Sequence, residues 1–507
     1  MCGIVACYTP SPEAITSDVV AAGRTMLTRL AHRGPDDTGQ ACVGAQAWLG
    51  HNRLSIVGPA NGRQPLGDPG PWSLVCNGEI YNDADLRESL PGHDFTTASD
   101  SESALALLTG RGPWAFDRLE GMWALCAATP DGRFVAARDR LGIKPLYWAE
   151  VGGLYYFASE MRAFPVEVQH AVEMFPPGCW WTPSDGLVRF ATAVTSAPVQ
   201  DGFTTAELEK RTRDVLVDSV QRHLMADVEV GVFLSGGLDS SIVAAVAAAE
   251  YTREGRRLKT FAVGVDGSAD LLAAREVAAF LGTDHHETVF DAGQAVAALD
   301  DVVASVESFD AGLIRSAVPN WFLAELASEH VKAVLTGEGA DELFAGYGYY
   351  HELHRDPAAL HRELRRTIEL LHGLNLQRCD RVTMAHGLEA RVPFLDARVV
   401  DHAMSLPDTV KSLEADGLEK GHLRRAFTGW LPDHLLWRPK LEFGTGSGAA
   451  DLLTPYWNQR IGDTELTEGS DPATGLRSKE ELAYYRAFRR ALPEVRPDAV
   501  LTRFAMA

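Results

Sequence analysis

Cysteine is scarce in this sequence, and its spacing suggests neither a zinc site nor a redox pair. Seven cysteines are scattered over 507 residues, an odd number without any Cys-x-x-Cys pair. Scattered cysteines of this kind are typical of chains that work in a reducing compartment. We therefore expect a cytoplasmic protein.

Long hydrophobic runs and an excess of positive charge are also missing. The most apolar stretch near the middle, residues 242–249, is too short to span a bilayer. The N-terminal segment Met-Cys-Gly-Ile-Val-Ala-Cys lacks the basic stretch and apolar run of a secretory signal. A formal net charge of −22 repels nucleic acid and anionic membranes. We expect no membrane segment, no export and no nucleic-acid partner.

The length of the chain exceeds what one hydrophobic core usually organises, so we expect two domains. Short apolar runs separated by Gly, Pro, Asn and Asp fill residues 1 to about 190 and predict strands. These runs lie at residues 3–6, 47–50, 72–76, 134–137 and 154–158. A helical pattern at 101–108 interrupts them, so we expect layered sheets with helices outside.

A polar segment broken by Pro and Gly, residues 195–203, has the composition of a linker. We therefore predict one domain over residues 2–195 and a second over residues 204–507. Thr204 and Glu207 form a capping-box pattern, which predicts that a helix begins at this point.

The second half follows a different pattern, in which strands alternate with glycine turns and helices. Predicted strands at 228–234, 258–265 and 331–335 are each followed by a glycine-rich turn or a helical segment. This order predicts a mostly parallel sheet covered by helices. Ligands of such sheets bind at the carboxyl ends of the strands.

Cys2 becomes the first residue once Met1 is removed, so a thiol and a free α-amine lie on one residue. The amine titrates near about 7.7–8.0 and the thiol near about 8.5, so the amine can take or share the thiol proton. Cysteine at this position is weak evidence when taken alone. The residues that follow make it a candidate nucleophile.

Four segments carry polar groups that suit a small zwitterionic amide. They lie at residues 33–36, 53–57, 77–82 and 99–102. Arg53 can pair with an α-carboxylate, and Glu79 and Asp100 can hold an α-ammonium group. Asn77 and the Gly78 amide are suited to a tetrahedral oxyanion. Each segment by itself is equally typical of ordinary turns.

Ser-Gly-Gly-Leu-Asp-Ser-Ser at 235–241 lies between a predicted strand and a predicted helix, where amides and hydroxyls would face an anion. No Gly-Lys-Ser/Thr follows, so the loop is not a Walker A motif. Pyrophosphate release is therefore the better interpretation than transfer of the terminal phosphate. Asp239 in this loop can hold Mg²⁺.

Thr-Gly-Glu-Gly-Ala-Asp-Glu at 336–342 closes the next predicted strand at the same sheet edge. Asp341 can bind the same metal, and Glu338 can accept a proton from an incoming amine. Arg438 and Lys440 can neutralise a polyphosphate leaving group. We interpret residues 389–396 as architectural, a charged helix end before a Pro-fixed apolar segment.

Together these segments resemble the glutamine-hydrolysing asparagine synthetase family, from Cys2 to about Leu492. The motifs that carry the resemblance, in chain order, are Met-Cys-Gly-Ile, His-Arg-Gly-Pro-Asp, Arg-Leu-Ser-Ile-Val, Asn-Gly-Glu-Ile-Tyr-Asn, Leu-Ser-Gly-Gly-Leu-Asp-Ser-Ser, Gly-Glu-Gly-x-Asp-Glu and Glu-Ala-Arg-Val-Pro-Phe-Leu-Asp. Their joint occurrence in this order is highly specific.

The resemblance implies a two-domain fold of mixed α+β and α/β class. Its N-terminal domain would be a layered αββα glutaminase of the N-terminal-nucleophile (Ntn) hydrolase class. Its C-terminal domain would be an α/β ATP-pyrophosphatase, similar to adenine nucleotide α-hydrolases, reached by an internal ammonia tunnel. ATP and Mg²⁺ are the implied cofactors, small molecules are the implied partners, and a homodimer is possible.

The resemblance also implies a reaction. Cys2 would form a γ-glutamyl thioester, while the acceptor carboxylate attacks the α-phosphate of ATP to give an acyl-adenylate and pyrophosphate. Glu338 would assist the attacking ammonia, and Lys440 would offset charge during adenylation. Asp239 and Asp341 would hold Mg²⁺.

The site residues implied by the resemblance form two groups. The glutamine pocket maps onto Arg53, Leu54, Ser55, Ile56, Val57, Asn77, Gly78, Glu79 and Asp100. The nucleotide site maps onto Phe233, Ser235, Gly236, Gly237, Asp239, Ser240, Val263, Thr336 and Gly337.

Two departures from the family pattern concern the acceptor. Aspartate-using relatives typically show Asp-Val-Thr-Thr-Ile-Arg where residues 310–315 read Asp-Ala-Gly-Leu-Ile-Arg, so Gly312 and Leu313 replace two hydroxyls. Near Lys440, residues 442–446 read Glu-Phe-Gly-Thr-Gly in place of Gln-Phe-Ser-Asp-Gly. Loss of buried polar partners changes substrate discrimination strongly.

Aspartate, giving asparagine, is our first expectation for the acceptor. The alternative is an amidotransferase of the same architecture that acts on another carboxylic acid in specialised metabolism. β-Lactam-forming relatives generally lack the N-terminal cysteine, which Cys2 supplies here. A non-catalytic glutamine or nucleotide sensor and a free-standing glutaminase are further alternatives, and the intact set of candidate residues argues against both.

Overall fold

The structure of the chain is a computed structural model that describes residues 2–11, 15–67, 71–195, 199–200, 202–411, 413, 417–439, 447–469 and 474–504. The strands are β1 (Cys2–Tyr8), β2 (Asp37–Val43), β3 (Ala47–Arg53), β4 (Ser73–Ile80), β5 (Gly121–Ala128), β6 (Phe134–Arg138), β7 (Tyr147–Val151), β8 (Leu154–Ala158), β9 (Glu173–Met174), β10 (Cys179–Thr182), β11 (Gly186–Arg189), β12 (Val230–Phe233), β13 (Lys259–Gly264), β14 (Asp284–Val289), β15 (Ala333–Leu335) and β16 (Glu389–Arg391).

The α-helices are α1 (Ser17–Arg29), α2 (Asp83–Ser89), α3 (Ser101–Arg111), α4 (Val166–Gln169), α5 (Thr205–His223), α6 (Leu238–Arg253), α7 (Ala269–Leu281), α8 (Ala292–Ala297), α9 (Leu299–Val306), α10 (Ala311–Ser328), α11 (Ala340–Phe344), α12 (Pro357–Leu370), α13 (Asn375–Ala385), α14 (Ala397–Ser405), α15 (Gly421–Ala426), α16 (Asp433–Leu436), α17 (Ala449–Arg460), α18 (Asp463–Gly469), α19 (Lys479–Ala491) and α20 (Pro497–Val500). Among the described helices, none combines the length and apolar character needed to cross a membrane.

Two antiparallel sheets form the N-terminal half. One has the strand order β2-β3-β1-β8-β7-β9 and the other β11-β10-β6-β5-β4. Alternate side chains of β1, Ile4 and Ala6, pack in one apolar cluster with Val75 of β4 and Ala124 of β5. Because side chains alternate between the faces of a strand, this shared cluster places the two sheets face to face.

Helices cover the outer face of each sheet. The remaining β1 side chains, Val5 and Cys7, pack with Met26 and Leu27 of α1. On the other sheet, Leu74 packs in a cluster with side chains of α3. The αββα layering predicted from the sequence is confirmed, as are the predicted strands and the helix that begins at Ser101.

The second half is built on a parallel sheet with the order β14-β13-β12-β15-β16. The first strand in sequence, β12, lies at its centre, with β13 on one side and β15 on the other. Loops that leave the carboxyl ends of two such strands diverge to opposite faces and open a crevice between them. Because β12 and β15 are adjacent strands, the glycine loops that follow them lie on either side of this crevice.

Helix α5 leads into this half, and its start matches the sequence pattern. The Thr204 side chain accepts from the Glu207 amide, and the Glu207 carboxylate accepts from the Thr204 amide. The predicted capping box is confirmed. The interpretation of residues 389–396 as a charged helix end is wrong, because Glu389–Arg391 forms the buried edge strand β16 beside β15.

Buried charge and apolar packing join the two halves. One apolar cluster contains Trp48 of β3 together with Ile314 of α10. The fully buried Arg33 guanidinium donates to Asp380 of α13 at 2.9 and 3.2 Å and to Glu160 at 2.8 Å. Burial opposes ionisation of Asp380, but Arg33 and Lys144 outweigh it and lower its pKa. The interface between the two halves therefore contains buried, ionised side chains.

We predict that Asp380→Ala lowers the free energy of unfolding by about 3–5 kcal/mol, because it leaves the Arg33 guanidinium buried without this carboxylate. Lys210→Ala is the control, since Lys210 pairs with Asp214 at 2.5 Å on an exposed helix face. Such a pair contributes about 0.3–0.5 kcal/mol. Urea denaturation measures both variants. Equal losses would contradict a structural role for the buried pair.

Candidate active site

Cys2 begins β1 and is held by groups on three other segments. Its backbone nitrogen donates to Asn77 Oδ1 at 2.9 Å, and its carbonyl accepts from Arg33 Nε at 3.0 Å. Burial raises the pKa of the Cys2 thiol, and a hydrogen bond from the Leu54 backbone opposes that shift. Once Met1 is removed, the nitrogen that faces Asn77 is the α-amine.

Asn77 and Gly78 lie on β4 beside the nucleophile. Asn77 is fully buried, and its Nδ2 has no hydrogen-bond partner among the described residues. Gly78 has a φ of +152°, and a Cβ on it would lie 2.0 Å from the Met122 carbonyl oxygen. Only glycine fits there. The Asn77 amide therefore has a free donor beside Cys2, and its role toward an oxyanion stays a prediction.

Two buried acids, Glu79 and Asp100, lie at the end of β4 that follows Gly78. Burial raises the pKa of Asp100 to about 6, although the Ile80 amide donates to it, and burial raises that of Glu79 well above its ordinary value. Oε2 of Glu79 has no hydrogen-bond partner among the residues described. Arg391 of β16 lies 3.4 Å from Glu79 Oε1, so the second half also contributes to this pocket.

The segment from Arg53 to Val57 is held mostly by its own loop. The Arg53 guanidinium donates to the carbonyls of Val57, Gly58 and Pro59 at 2.7–3.1 Å. Leu54 and Ile56 are buried in the core, and the Ser55 amide donates to Asp36 at 2.7 Å. Pairing of Arg53 with a substrate carboxylate stays a prediction.

A cavity of about 730 Å³ lies at the carboxyl ends of β12 and β15. Every residue predicted for the nucleotide and metal lines it: Phe233, Ser235, Gly236, Gly237, Asp239, Ser240, Val263, Thr336, Gly337, Glu338 and Asp341. Ser240 Oγ accepts from the Ser235 amide at 3.3 Å and folds the loop. A Cβ on Gly337 would lie 2.9 Å from the Asp239 Cβ, so glycine lets the two loops approach.

The two predicted metal ligands converge on a lysine that the sequence reasoning missed. Lys420 Nζ donates to both oxygens of Asp239 at 2.8 and 2.6 Å and lies 2.5 Å from Asp341 Oδ1. These carboxylates raise the pKa of Lys420 against the opposing effect of burial. Hard oxygen donors converging on one cation suit Mg²⁺. Among the described residues, no group of three or more His, Cys, Asp or Glu is arranged to hold a metal.

Glu338, the predicted proton acceptor, pairs with Arg378 of α13. Burial raises the pKa of Glu338, and Arg378 opposes that shift. Arg438 donates to the Gly236 carbonyl at 3.2 Å, so one of the two predicted cations, Arg438 and Lys440, reaches the glycine loop at 235–241. Lys440 lies outside the described residues, and its role stays a prediction.

The segment at 310–315 starts α10 and borders the same cavity. Gly312 and Arg315 line the cavity, whereas Leu313 is fully buried in the apolar core. The expectation that both replaced hydroxyls affect the acceptor pocket is therefore corrected. Of these two positions, only Gly312 lines the cavity. The second departure, at residues 442–446, lies outside the described residues.

Two contacts that organise both sites gave no signal in the sequence. Arg378 and Asp380 lie two positions apart on α13, yet one contacts Glu338 and the other contacts Arg33 behind Cys2. Neither belongs to a glycine loop or to a motif with a chemical interpretation. Only the fold brings them to the sites.

Comparisons with known proteins cover nearly the whole chain. A family model for a glutamine amidotransferase domain matches residues 1–176, and one for asparagine synthase matches 211–358 and 352–503. Among solved structures, a glutamine phosphoribosylpyrophosphate amidotransferase from B. subtilis covers 57% of this chain and 81% of its own, at 19% identity and a TM-score of 0.32.

Curated relatives align end to end. Asparagine synthetase (glutamine-hydrolyzing) 3 of Arabidopsis thaliana is 37% identical over an alignment of 524 positions that covers 97% of this chain and 88% of the relative. An asparagine synthetase (glutamine-hydrolyzing) of Sandersonia aurantiaca is 37% identical over an alignment of 523 positions that covers 98% of this chain and 97% of the relative. The chain belongs to the glutamine-hydrolysing asparagine synthetase family, with an Ntn-type glutamine amidotransferase domain followed by an α/β asparagine synthase domain.

Proposed function

We propose that this chain is an ATP-dependent carbon–nitrogen ligase that takes ammonia from L-glutamine and converts L-aspartate to L-asparagine, AMP and pyrophosphate. One observation carries the proposal: a nucleophile site at Cys2 and a nucleotide cavity at Glu338 are joined through one buried helix, α13. The family to which the chain belongs supports the same reaction.

In the first half-reaction, the Cys2 thiol attacks the side-chain carbonyl of glutamine and forms a γ-glutamyl thioester. The α-amine, oriented by Asn77 Oδ1, accepts the thiol proton and returns it to the departing ammonia. The Asn77 Nδ2 group donates to the oxyanion. Glu79 and Asp100 hold the α-ammonium of glutamine, and Arg53 its α-carboxylate.

In the second half-reaction, the acceptor carboxylate attacks the α-phosphate of ATP and pyrophosphate leaves. The loop from Ser235 to Ser240 holds the phosphates with amides and hydroxyls. Asp239 and Asp341 would hold Mg²⁺, which neutralises charge on the phosphates when it is bound. Ammonia then attacks the acyl-adenylate carbonyl and AMP leaves, while Glu338, kept near Arg378, accepts a proton from the ammonia. Lys440 is proposed to offset charge during adenylation.

The setting and the partners of the reaction follow from the same proposal. All seven cysteines are free thiols, which supports a reducing, cytoplasmic environment. The partners are the small-molecule substrates glutamine, ATP and the acceptor acid. A homodimer remains an expectation from the resemblance alone.

A second candidate function is amide synthesis on a different carboxylic acid, and Gly312 favours it. This residue faces the cavity where aspartate-using relatives carry a hydroxyl. Pyrophosphate release with ATP, Mg²⁺ and glutamine, compared across L-aspartate and other carboxylic acids, separates the candidates. We expect release with aspartate and equimolar asparagine. Release with another acid alone would keep the mechanism and replace the substrate.

We predict that Cys2→Ala abolishes glutamine-dependent amide formation and leaves the rate with ammonium unchanged, because the cavity does not use the thiol. Cys7→Ala is the matched control, since Cys7 is buried on the same strand but packs against α1. Amide formation is measured with each nitrogen source. Loss of both activities in folded Cys2→Ala would contradict two separate sites.

We predict that Lys420→Met increases the affinity of the nucleotide-free protein for Mg²⁺, because it removes the ammonium group that lies between Asp239 and Asp341. The rise in melting temperature on adding Mg²⁺ measures this affinity. Lys259→Met, which removes a lysine paired with Glu229, is the control. An unchanged Mg²⁺ response in Lys420→Met would argue against a cation site at these aspartates.

A further inference from the structure

The cavity extends past the nucleotide loops to a second end, which we call the acceptor end. Gly312, Arg315, Ser316, Arg477 and Phe504 line it. Ser316 lies one helical turn after Gly312 on α10, so both face the same side of the helix. Phe504 comes from a segment that is distant in sequence and belongs to neither glycine loop.

The backbone of Phe504 is fixed from two sides. Its amide donates to Asp310 Oδ2 at 3.1 Å, and its carbonyl accepts from Arg477 Nη1 at 2.7 Å. Arg477 Nη2 donates in turn to Asp310 Oδ2 at 2.7 Å. Asp310 also caps α10 by accepting from the Leu313 amide at 3.0 Å. The position of Phe504 is therefore set by the start of the helix that carries Gly312.

The Phe504 ring lies over Gly312. A Cβ built on Gly312 would be 3.4 Å from Phe504 Cδ2 and 4.0 Å from Cε2, which is ordinary van der Waals contact. The same Cβ would lie 3.3 Å from Asp310 Oδ1, so a methyl group here is already in close contact with both the ring and the residue that caps α10. The space beside Gly312, where the sequence pattern of aspartate-using relatives has a threonine, is bordered here by an aromatic ring from elsewhere in the chain.

The charged groups at the acceptor end are arranged with acids behind and guanidinium groups in front. Side chains of Arg315 and Arg477 are 32% and 25% exposed, whereas their partners Glu480 and Asp310 are 2% and 1% exposed. A ligand at this end of the cavity therefore meets the more exposed edges of two arginines and an aromatic ring, with Asp310 and Glu481 in the same lining. Such a surface suits a small acid that carries a second, non-reacting carboxylate.

We propose that Phe504, lying against Gly312, determines acceptor specificity by limiting the length of the acid that fits the acceptor end. The ring admits a dicarboxylic amino acid of the length of aspartate, with its free carboxylate toward Arg315 and Arg477, and excludes one that is a methylene longer. This inference rests on the ligase activity proposed above and names a residue that sets its substrate class.

The test compares aspartate with glutamate as acceptor in wild type, Phe504→Ala and Phe504→Leu. Ammonium serves as the nitrogen source and pyrophosphate release is the readout, so hydrolysis at Cys2 of any glutamine formed from glutamate does not change the measured rate. We expect Phe504→Ala to raise the ratio of kcat/KM for glutamate to that for aspartate by about 10-fold or more, the discrimination that one methylene supplies. Phe504→Leu should give a smaller rise. The KM for ATP and the rate of glutamine hydrolysis should both be unchanged.

Phe280→Ala is the matched control, because Phe280 is an exposed phenylalanine on α7 outside the cavity. A second comparison uses Gly312→Thr, whose side chain meets the Phe504 ring. We expect it to lower kcat/KM for aspartate in the wild-type background and to be relieved in the Gly312→Thr/Phe504→Ala double variant. If the effects of the two substitutions on kcat/KM for aspartate are additive, the two side chains do not contact each other, which would contradict the proposal.

The outcomes separate this inference from the proposed function. Wild type that releases no pyrophosphate with aspartate refutes the proposed substrate, and the length comparison then uses the acid it does accept and the homologue one methylene longer. Wild type that makes asparagine, with an unchanged acid ratio in folded Phe504→Ala and Phe504→Leu, refutes the role of Phe504.

Discussion

The architecture depends on the burial of the Arg33 guanidinium between the two halves of the chain. Burying an ion costs several kcal/mol, and only good geometry with every neighbouring charge matched offsets that cost. Arg33 meets this condition by donating to the Cys2 carbonyl, Glu160 and Asp380 at 2.8–3.2 Å. Any displacement of one half against the other leaves these charges buried without partners. The contact therefore fixes the relative placement of the halves.

Helix α13 turns this contact into a constraint on both sites. Asp380 holds the guanidinium behind Cys2, and Arg378, two positions earlier, pairs with Glu338 in the nucleotide cavity. Asn375, at the start of the same helix, donates to Glu342 after the acidic loop. A helix keeps such side chains at a fixed spacing. The nucleophile and the proposed proton acceptor are thus positioned by one rigid element.

Local patterns were sufficient to predict the layers, the parallel sheet and the loops that line the nucleotide cavity. Short continuous apolar runs indicate buried strands, and glycine turns after strands indicate sheet edges, so both signals lie within a few residues. The contacts that complete the sites join residues that are far apart in the sequence. Lys420 meets Asp239 across 181 positions, and Arg33 meets Asp380 across 347. A single sequence contains no pattern that pairs such distant charges.

Local patterns also explain why the interpretations of residues 389–396 and of Leu313 are wrong. Charged residues at Glu389 and Arg391 suggest an exposed helix end, but here they form an ion pair inside the molecule, and Arg391 also lies near Glu79. Adjacent residues on a helix point in directions about 100° apart, so two neighbouring substitutions rarely affect one pocket. Leu313 packs in the core, and Gly312 faces the cavity. Of the two substituted positions on α10, Gly312 is therefore the one that can affect which acid the chain accepts, together with the Phe504 ring that lies against it.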